Sequence, residues 1–159
     1  MVTDEQVLLH GFSSEDRRSF LAMGRERIFD ADEVIVEEST PGTSLHIVME
    51  GAVAVWKRHV KLLTLSKGAI VGEMVIFRER PRSATVRAET LVKTLSFEKA
   101  DIMAFFKWRD ERLFKYLVIN MIHILARKLA RGTELVAYLQ SRVQSREERR
   151  PLWVRSSIL

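Results

Sequence analysis

From Val34 onward the apolar residues recur at every second position in short runs. VIVEE, LHIVME and GAVAVW alternate apolar with polar residues, and KLLTL, SATVRA and LVKTLSF continue the pattern to Phe97. Period two is the signature of a strand with one buried face. In LHIVME it puts Leu45, Ile47 and Met49 on the buried side and sends His46 outward. Gly42, Gly51, Gly68 and Gly72 fall at the breaks between runs, and STPGTS is a turn signal of its own. Upstream, Ser13 stands three residues before Asp16 as a capping pair, and Phe20 and Leu21 follow at helical spacing, so SSEDRRSFLAM predicts a short helix. After about Lys99 the period changes again. ADIMAFF and a proline-free segment from about Asp110 to Gln144 read as helices, the second unusually long. Several short strands with flanking helices predict a mainly β fold, barrel or sandwich.

The long helix carries a second periodicity. Val118, Ile122, Leu125, Leu129, Gly132, Val136, Leu139 and Val143 step alternately by four and three, the seven-residue repeat of a coiled-coil seam. It reads either as a dimer contact or as a stripe packed on the chain's own strands. The expected organisation is a β domain with its N-terminal helix over residues 1–107, a helical region over 108–145 and a basic tail, SREERRPLWVRSSIL in its fuller extent, over 146–159.

Composition narrows the classes. The chain has 159 residues, 47% hydrophobic and 30% charged, enough for one packed domain and too apolar for a disordered segment. It has no cysteine, which excludes disulfides, thiolate metal sites and a cysteine nucleophile, and a cytoplasmic location is expected. No run approaches the ~18 apolar residues of a membrane span, so no membrane association is expected. Residues 1–56 carry 4 basic and 11 acidic side chains, against 22 and 10 in residues 57–159. That polarity either steers an anionic partner or marks two solvated faces of opposite sign.

Catalytic apparatus is not visible. His10, His46, His59 and His123 lack metal-ligand spacing, and no P-loop, nucleophile elbow or carboxylate pair occurs. No catalytic residue, metal or cofactor is expected. Arg78, Glu79 and Arg80 read as a solvated turn, while Trp56, Trp108 and Trp153 are too far apart in sequence to form a stacking platform for single strands.

One stretch stands out chemically, GEMVIFRERPRSATV, residues 72–86. Its strand pattern places Ala84, Val86 and Ala88 on one face, so Arg82 points inward with them. An inward guanidinium is costly unless paired. Either Glu73 pairs with it inside the fold, or an external anion does, bound by the guanidinium fork and by main-chain N–H groups of the small residues after it. In the second case Gly72 permits close approach and Glu73 accepts from a hydroxyl of the same ligand. A phosphate with a hydroxyl a few ångströms away describes a ribose phosphate.

Gly72-Glu73 followed nine residues later by Arg82, in Pro81-Arg82-Ser83-Ala84-Thr85-Val86, closely resembles the phosphate-binding cassette of cyclic-nucleotide-binding domains. Such domains occur in bacterial catabolite activator proteins, protein kinase A regulatory subunits and nucleotide-gated channels. The resemblance runs from about Leu8 to Tyr138 and implies a β-roll, a jelly-roll-like double-stranded β-helix, flanked by helices. It implies a purine 3′,5′-cyclic monophosphate as ligand, cyclic AMP before cyclic GMP. Arg82 and Ser83 match the residues that hold the phosphate, and Glu73 and Gly72 those that hold the ribose 2′-hydroxyl. Val71, Met74 and Ala84 complete the cassette, and Thr133 falls where the activators offer a hydroxyl to the base. Asp32 stands where the family usually has glycine, a turn position that aspartate tolerates. After Gln144 only 15 residues remain, too few for a helix-turn-helix domain, so direct DNA binding is not expected. The resulting expectation is a stand-alone cyclic-nucleotide sensor, homodimeric through the long helix and signalling to a protein partner. The alternatives are an interaction module of the same fold that binds no nucleotide, and the sensory part of a transcription regulator.

Overall fold

The computed structural model describes residues 2–77 and 80–148. They form two four-stranded antiparallel sheets followed by two helices. Eight strands, β1 (Arg25–Phe29), β2 (Val34–Val36), β3 (Ser44–Glu50), β4 (Ala52–Lys57), β5 (Val60–Ser66), β6 (Ile70–Val71), β7 (Thr85–Ala88) and β8 (Val92–Glu98), are shared between them, four to each. One sheet has the order β1-β8-β3-β6, the other β2-β7-β4-β5. This is the expected jelly-roll-like β-roll. Helices α1 (Asp4–Leu8) and α2 (Ser14–Ala22) precede the strands, and α3 (Lys99–Phe106) and α4 (Glu111–Glu148) follow them. The chain divides into two compact units, residues 1–121 and 122–159.

In the first unit, valine and alanine side chains from both sheets fill the roll. Val36, Val53, Val86 and Ala88 come from one sheet, and Val48, Val71 and Val92 from the other. Small β-branched residues suit a space this narrow, where larger side chains would force the sheets apart. Phenylalanines cover the outer face of the first sheet. Phe97 of β8 stacks on Phe20 of α2 with ring centroids 5.3 Å apart, and Phe12, Phe105, Phe106 and Phe114 continue the cluster. Asn120 joins the N-terminal segment to this layer, its buried side-chain amide donating to the carbonyls of Leu8 (2.9 Å) and His10 (2.8 Å).

The helix signals read from sequence are realised. Ser13 caps α2 by accepting from the Asp16 N–H (3.1 Å) and donates its hydroxyl to the Asp16 carboxylate (2.6 Å). Asp32 adopts φ +70°, the left-handed turn conformation that lets aspartate replace glycine. One reading is overturned. His46 is buried, because β3 lies between β8 and β6 and is covered on both faces. Leu45 pairs with Phe97 towards the helices, and Val48 faces the valine core, so the stretch Leu45–Val48 of β3 is buried on both sides.

In the second unit α4 continues to Glu148. Leu129, Val136, Leu139 and Val143 are all more than half exposed, and nothing lies within 4 Å of where a side chain on Gly132 would begin. Among the described residues, no helix is long and apolar enough to cross a membrane. Arg78, Glu79 and residues 149–159, with Trp153 and most of the basic tail, lie outside the described residues.

Candidate functional site

The site is built on the break between β6 and β7. Strand β6 ends at Val71, which is buried, and Gly72 turns the chain at φ +77° into a 3₁₀ turn, Glu73–Ile76. Glycine adopts that φ without the strain a side chain brings, and here a side chain would also start 2.6 Å from the Arg82 Nη1 and 3.0 Å from the Ser44 carbonyl oxygen. Glu73 opens the turn and is buried, while Met74 is half-buried. The chain returns at Arg82, immediately before β7. Ser83 is exposed, and Arg82 and Ala84 are half-buried.

Arg82 lies flat against the break. Its Nη1 donates to the Gly72 carbonyl (3.2 Å), and its Nη2 donates to the Ser44 carbonyl (2.7 Å) and to the Ser44 hydroxyl (3.4 Å). A side chain on Gly42 would begin 1.9 Å from its Nε. Glycine at 42 therefore makes room for the guanidinium plane. Desolvation lowers the Arg82 pKa below the usual guanidinium value, and the charges of Glu98 and Glu73 oppose that shift. Carbonyl acceptors orient a cation without neutralising it. The guanidinium is thus held in place, with its charge still able to meet an anion.

His46 stands behind this arrangement. Its Nε2 is 3.4 Å from the Ser44 hydroxyl, and its Nδ1 is 3.4 Å from the Thr94 hydroxyl. Burial, followed by the Arg82 charge, depresses its pKa to about 4, so the imidazole is neutral near pH 7. A neutral ring adds no second positive charge beside Arg82.

The main chain around Arg82 is tied to the segment after β2. The Arg82 N–H donates to the Thr40 carbonyl (2.9 Å), and the Ser39 N–H donates to the Arg82 carbonyl (2.9 Å). The Glu38 N–H donates to the Thr85 hydroxyl (3.0 Å). From the end of β4, Lys57 Nζ donates to the Ser83 carbonyl (2.6 Å) and pairs with the Glu38 carboxylate (2.6 Å).

The structure brings Val71, Gly72, Glu73, Met74, Arg82, Ser83 and Ala84 to the two ends of the β6–β7 break, which the Arg82–Gly72 hydrogen bond closes. Thr133 stands in the second unit, exposed on α4, with its hydroxyl donating to the Leu129 carbonyl (3.1 Å). Sequence reasoning missed Gly42, Ser44 and Lys57. The first two were legible only as a turn in STPGTS, and Lys57 follows the run GAVAVW with nothing in sequence to mark it. Among the described residues, no three histidine or carboxylate side chains converge as a metal site.

Comparison with known proteins identifies the arrangement. Glutaminase 2 of Bradyrhizobium diazoefficiens is 30% identical over 138 residues, which cover 86% of this chain but 22% of that protein. A cAMP-dependent protein kinase regulatory subunit of Hypocrea atroviridis is 32% identical over 96 residues, 60% of this chain and 21% of that one. The chain thus spans about a fifth of the length of each. The crystal structure of Thermus thermophilus catabolite activator protein superposes with a TM-score of 0.70 at 26% identity, covering 85% of this chain and 63% of that one. The profile of the cyclic nucleotide-binding domain family matches residues 26–108, just over half of the 159, a span that contains both sheets' shared core and the Gly72–Ala84 break. The chain belongs to the cyclic nucleotide-binding domain family.

Proposed function

We propose that this chain is a cytoplasmic, non-catalytic sensor domain that binds a purine 3′,5′-cyclic monophosphate, cyclic AMP in preference to cyclic GMP. The reading rests on one observation above all. Arg82 is fixed at the β6–β7 break by the carbonyls of Gly72 and Ser44, with its hydrogen bonds directed to neutral acceptors. A guanidinium serving only as half of a structural pair would be expected to direct its fork at a carboxylate. In the proposed complex Arg82 binds the cyclic phosphate, helped by the Ser83 hydroxyl and the main-chain N–H at Ala84. Glu73, with Gly72, accepts the ribose 2′-hydroxyl, and Val71 and Met74 line the same break. The cAMP dependence stated for the related kinase subunit supports adenine. Two copies pair through the exposed α4 stripe, and occupancy is passed to a protein partner by that helix.

Calorimetry and thermal shift with cyclic AMP, cyclic GMP and the linear 5′-monophosphate test this reading. A ligand at ~100 times its dissociation constant should raise apparent stability by about 2.7 kcal/mol. Glu73→Gln should weaken cyclic AMP far more than its 2′-deoxy analogue, since the second ligand lacks the hydroxyl in question. Absence of any shift with either cyclic nucleotide at millimolar concentration refutes the sensor.

A further inference from the structure

Lys57 has no place in the cassette read from sequence, yet it is the side chain that holds the Ser83 peptide. On one side of that peptide, Arg82 exchanges main-chain hydrogen bonds with Ser39 and Thr40; on the other, the Thr85 hydroxyl accepts from Glu38. Between these anchors, the Ser83 carbonyl accepts from Lys57 Nζ at 2.6 Å. Lys57 is itself braced. Its ammonium contacts the Glu38 carboxylate at 2.6 Å, and the other oxygen of that carboxylate accepts from the Arg58 N–H (2.8 Å). Arg58 turns the β4–β5 hairpin at φ +55°, a conformation that lysine, arginine and other non-glycine residues rarely adopt, and the carboxylate captures the N–H that this turn exposes. Lysine 57 pulls the Glu38 pKa below the usual carboxylate value, with the Arg58 N–H as the second cause. The turn, the carboxylate and the lysine therefore form one connected chain of contacts that ends at the Ser83 carbonyl.

A trans peptide is planar, with its carbonyl and N–H pointing in opposite directions. Fixing the Ser83 carbonyl towards Lys57 consequently fixes the direction of the Ala84 N–H. Building on the function proposed above, we infer that Lys57 is a positioning residue of the phosphate site. It acts through the Ser83–Ala84 peptide, and Glu38 holds it in register. The ligand it serves is an anion with two inequivalent terminal oxygens, such as a cyclic phosphodiester, because a fixed N–H and a fixed guanidinium distinguish the two.

The test compares wild type, Lys57→Met and Lys57→Arg. Each is titrated with cyclic AMP and with the Rp and Sp phosphorothioate analogues, in which sulfur replaces one or the other terminal oxygen. Ala84 amide exchange is followed without ligand. Lys57→Met should weaken cyclic AMP about tenfold, as expected for losing the effect of one charge-assisted hydrogen bond from a half-exposed group. It should also change the Rp to Sp affinity ratio and speed Ala84 exchange, and Lys57→Arg should restore all three. The melting temperature should stay near that of wild type, since the Lys57 side chain is half-exposed and its pair with Glu38 is screened by solvent. Unchanged affinity in Lys57→Met overturns the assignment alone. So does an equal loss for both diastereomers, which would mean that Lys57 contributes only its charge. A wild type that binds no cyclic nucleotide overturns the function, and this assignment with it, before any variant is compared.

Discussion

Gly42→Ala should separate binding from folding. Gly42 is not in the left-handed region, so alanine is sterically acceptable to the backbone there, and by restricting the unfolded chain it should stabilise by about 0.4–1 kcal/mol if nothing else changes. The added methyl, however, begins 1.9 Å from Arg82 Nε and 2.3 Å from its Cζ, well inside contact distance. A flexible side chain can escape such a clash, and Arg82 must do so by swinging away from the Gly72 and Ser44 carbonyls. The guanidinium then recovers hydration at little cost, so global stability should change by less than about 1 kcal/mol. The proposed ligand loses both arms of the fork. At about 1.5 kcal/mol or more for each charge-assisted hydrogen bond, that is at least ~3 kcal/mol, more than a hundredfold in affinity. Urea unfolding measures the first quantity and calorimetry with cyclic AMP the second. An alanine variant that binds like wild type would show that Arg82 does not hold the ligand from its observed position.

Two further outcomes follow from the same structure. His46 is neutral in the fold down to about pH 4, whereas in the unfolded chain it takes up its proton near pH 6.5. The unfolded state therefore binds more protons between those values, and stability present above pH 6.5 should be lost as pH falls towards 4, by about 3 kcal/mol in all. Urea midpoints at pH 7 and pH 4.5, for wild type and His46→Gln, check this; an equal acid loss in both would assign it to other groups. Leu129→Asp with Val136→Asp places charge in the exposed stripe and should convert a dimer to a folded monomer. Sedimentation of wild type at tens of micromolar decides whether there is a dimer to convert, and a monomer with and without ligand would remove α4 as the contact.

Alternation and spacing exposed most of the roll, and each failure has a local cause. Strand β1, RERIF, gave no alternation because it lies at a sheet edge with Arg25, Glu26, Arg27 and Ile28 all exposed. Its strand character comes from pairing with β8, a tertiary effect. Helix α1 has five residues, too few for periodicity, although Thr3 and Gln6 form a capping box that sequence does display. His46 was misplaced because period two assumes one wet face, and the centre of a sheet covered on both sides has none.

Arg82 and Glu73 were legible because an inward charge among small residues is anomalous wherever it occurs. What aims the arginine was not legible. Its acceptors are the main-chain carbonyls of Gly72 and Ser44, a group that every residue carries and no side chain announces. Sequence chemistry therefore left Glu73 and an external anion as alternative partners, and in the fold the charges of Glu98 and Glu73 act on Arg82 through space. The trace left in the sequence is negative: glycine at 42 and at 72, where any side chain would enter the volume of the guanidinium. A carboxylate partner would have consumed the charge that an incoming anion must meet. Two carbonyls fix the fork and leave that charge unspent, which is the arrangement required if the natural partner of Arg82 arrives from solution.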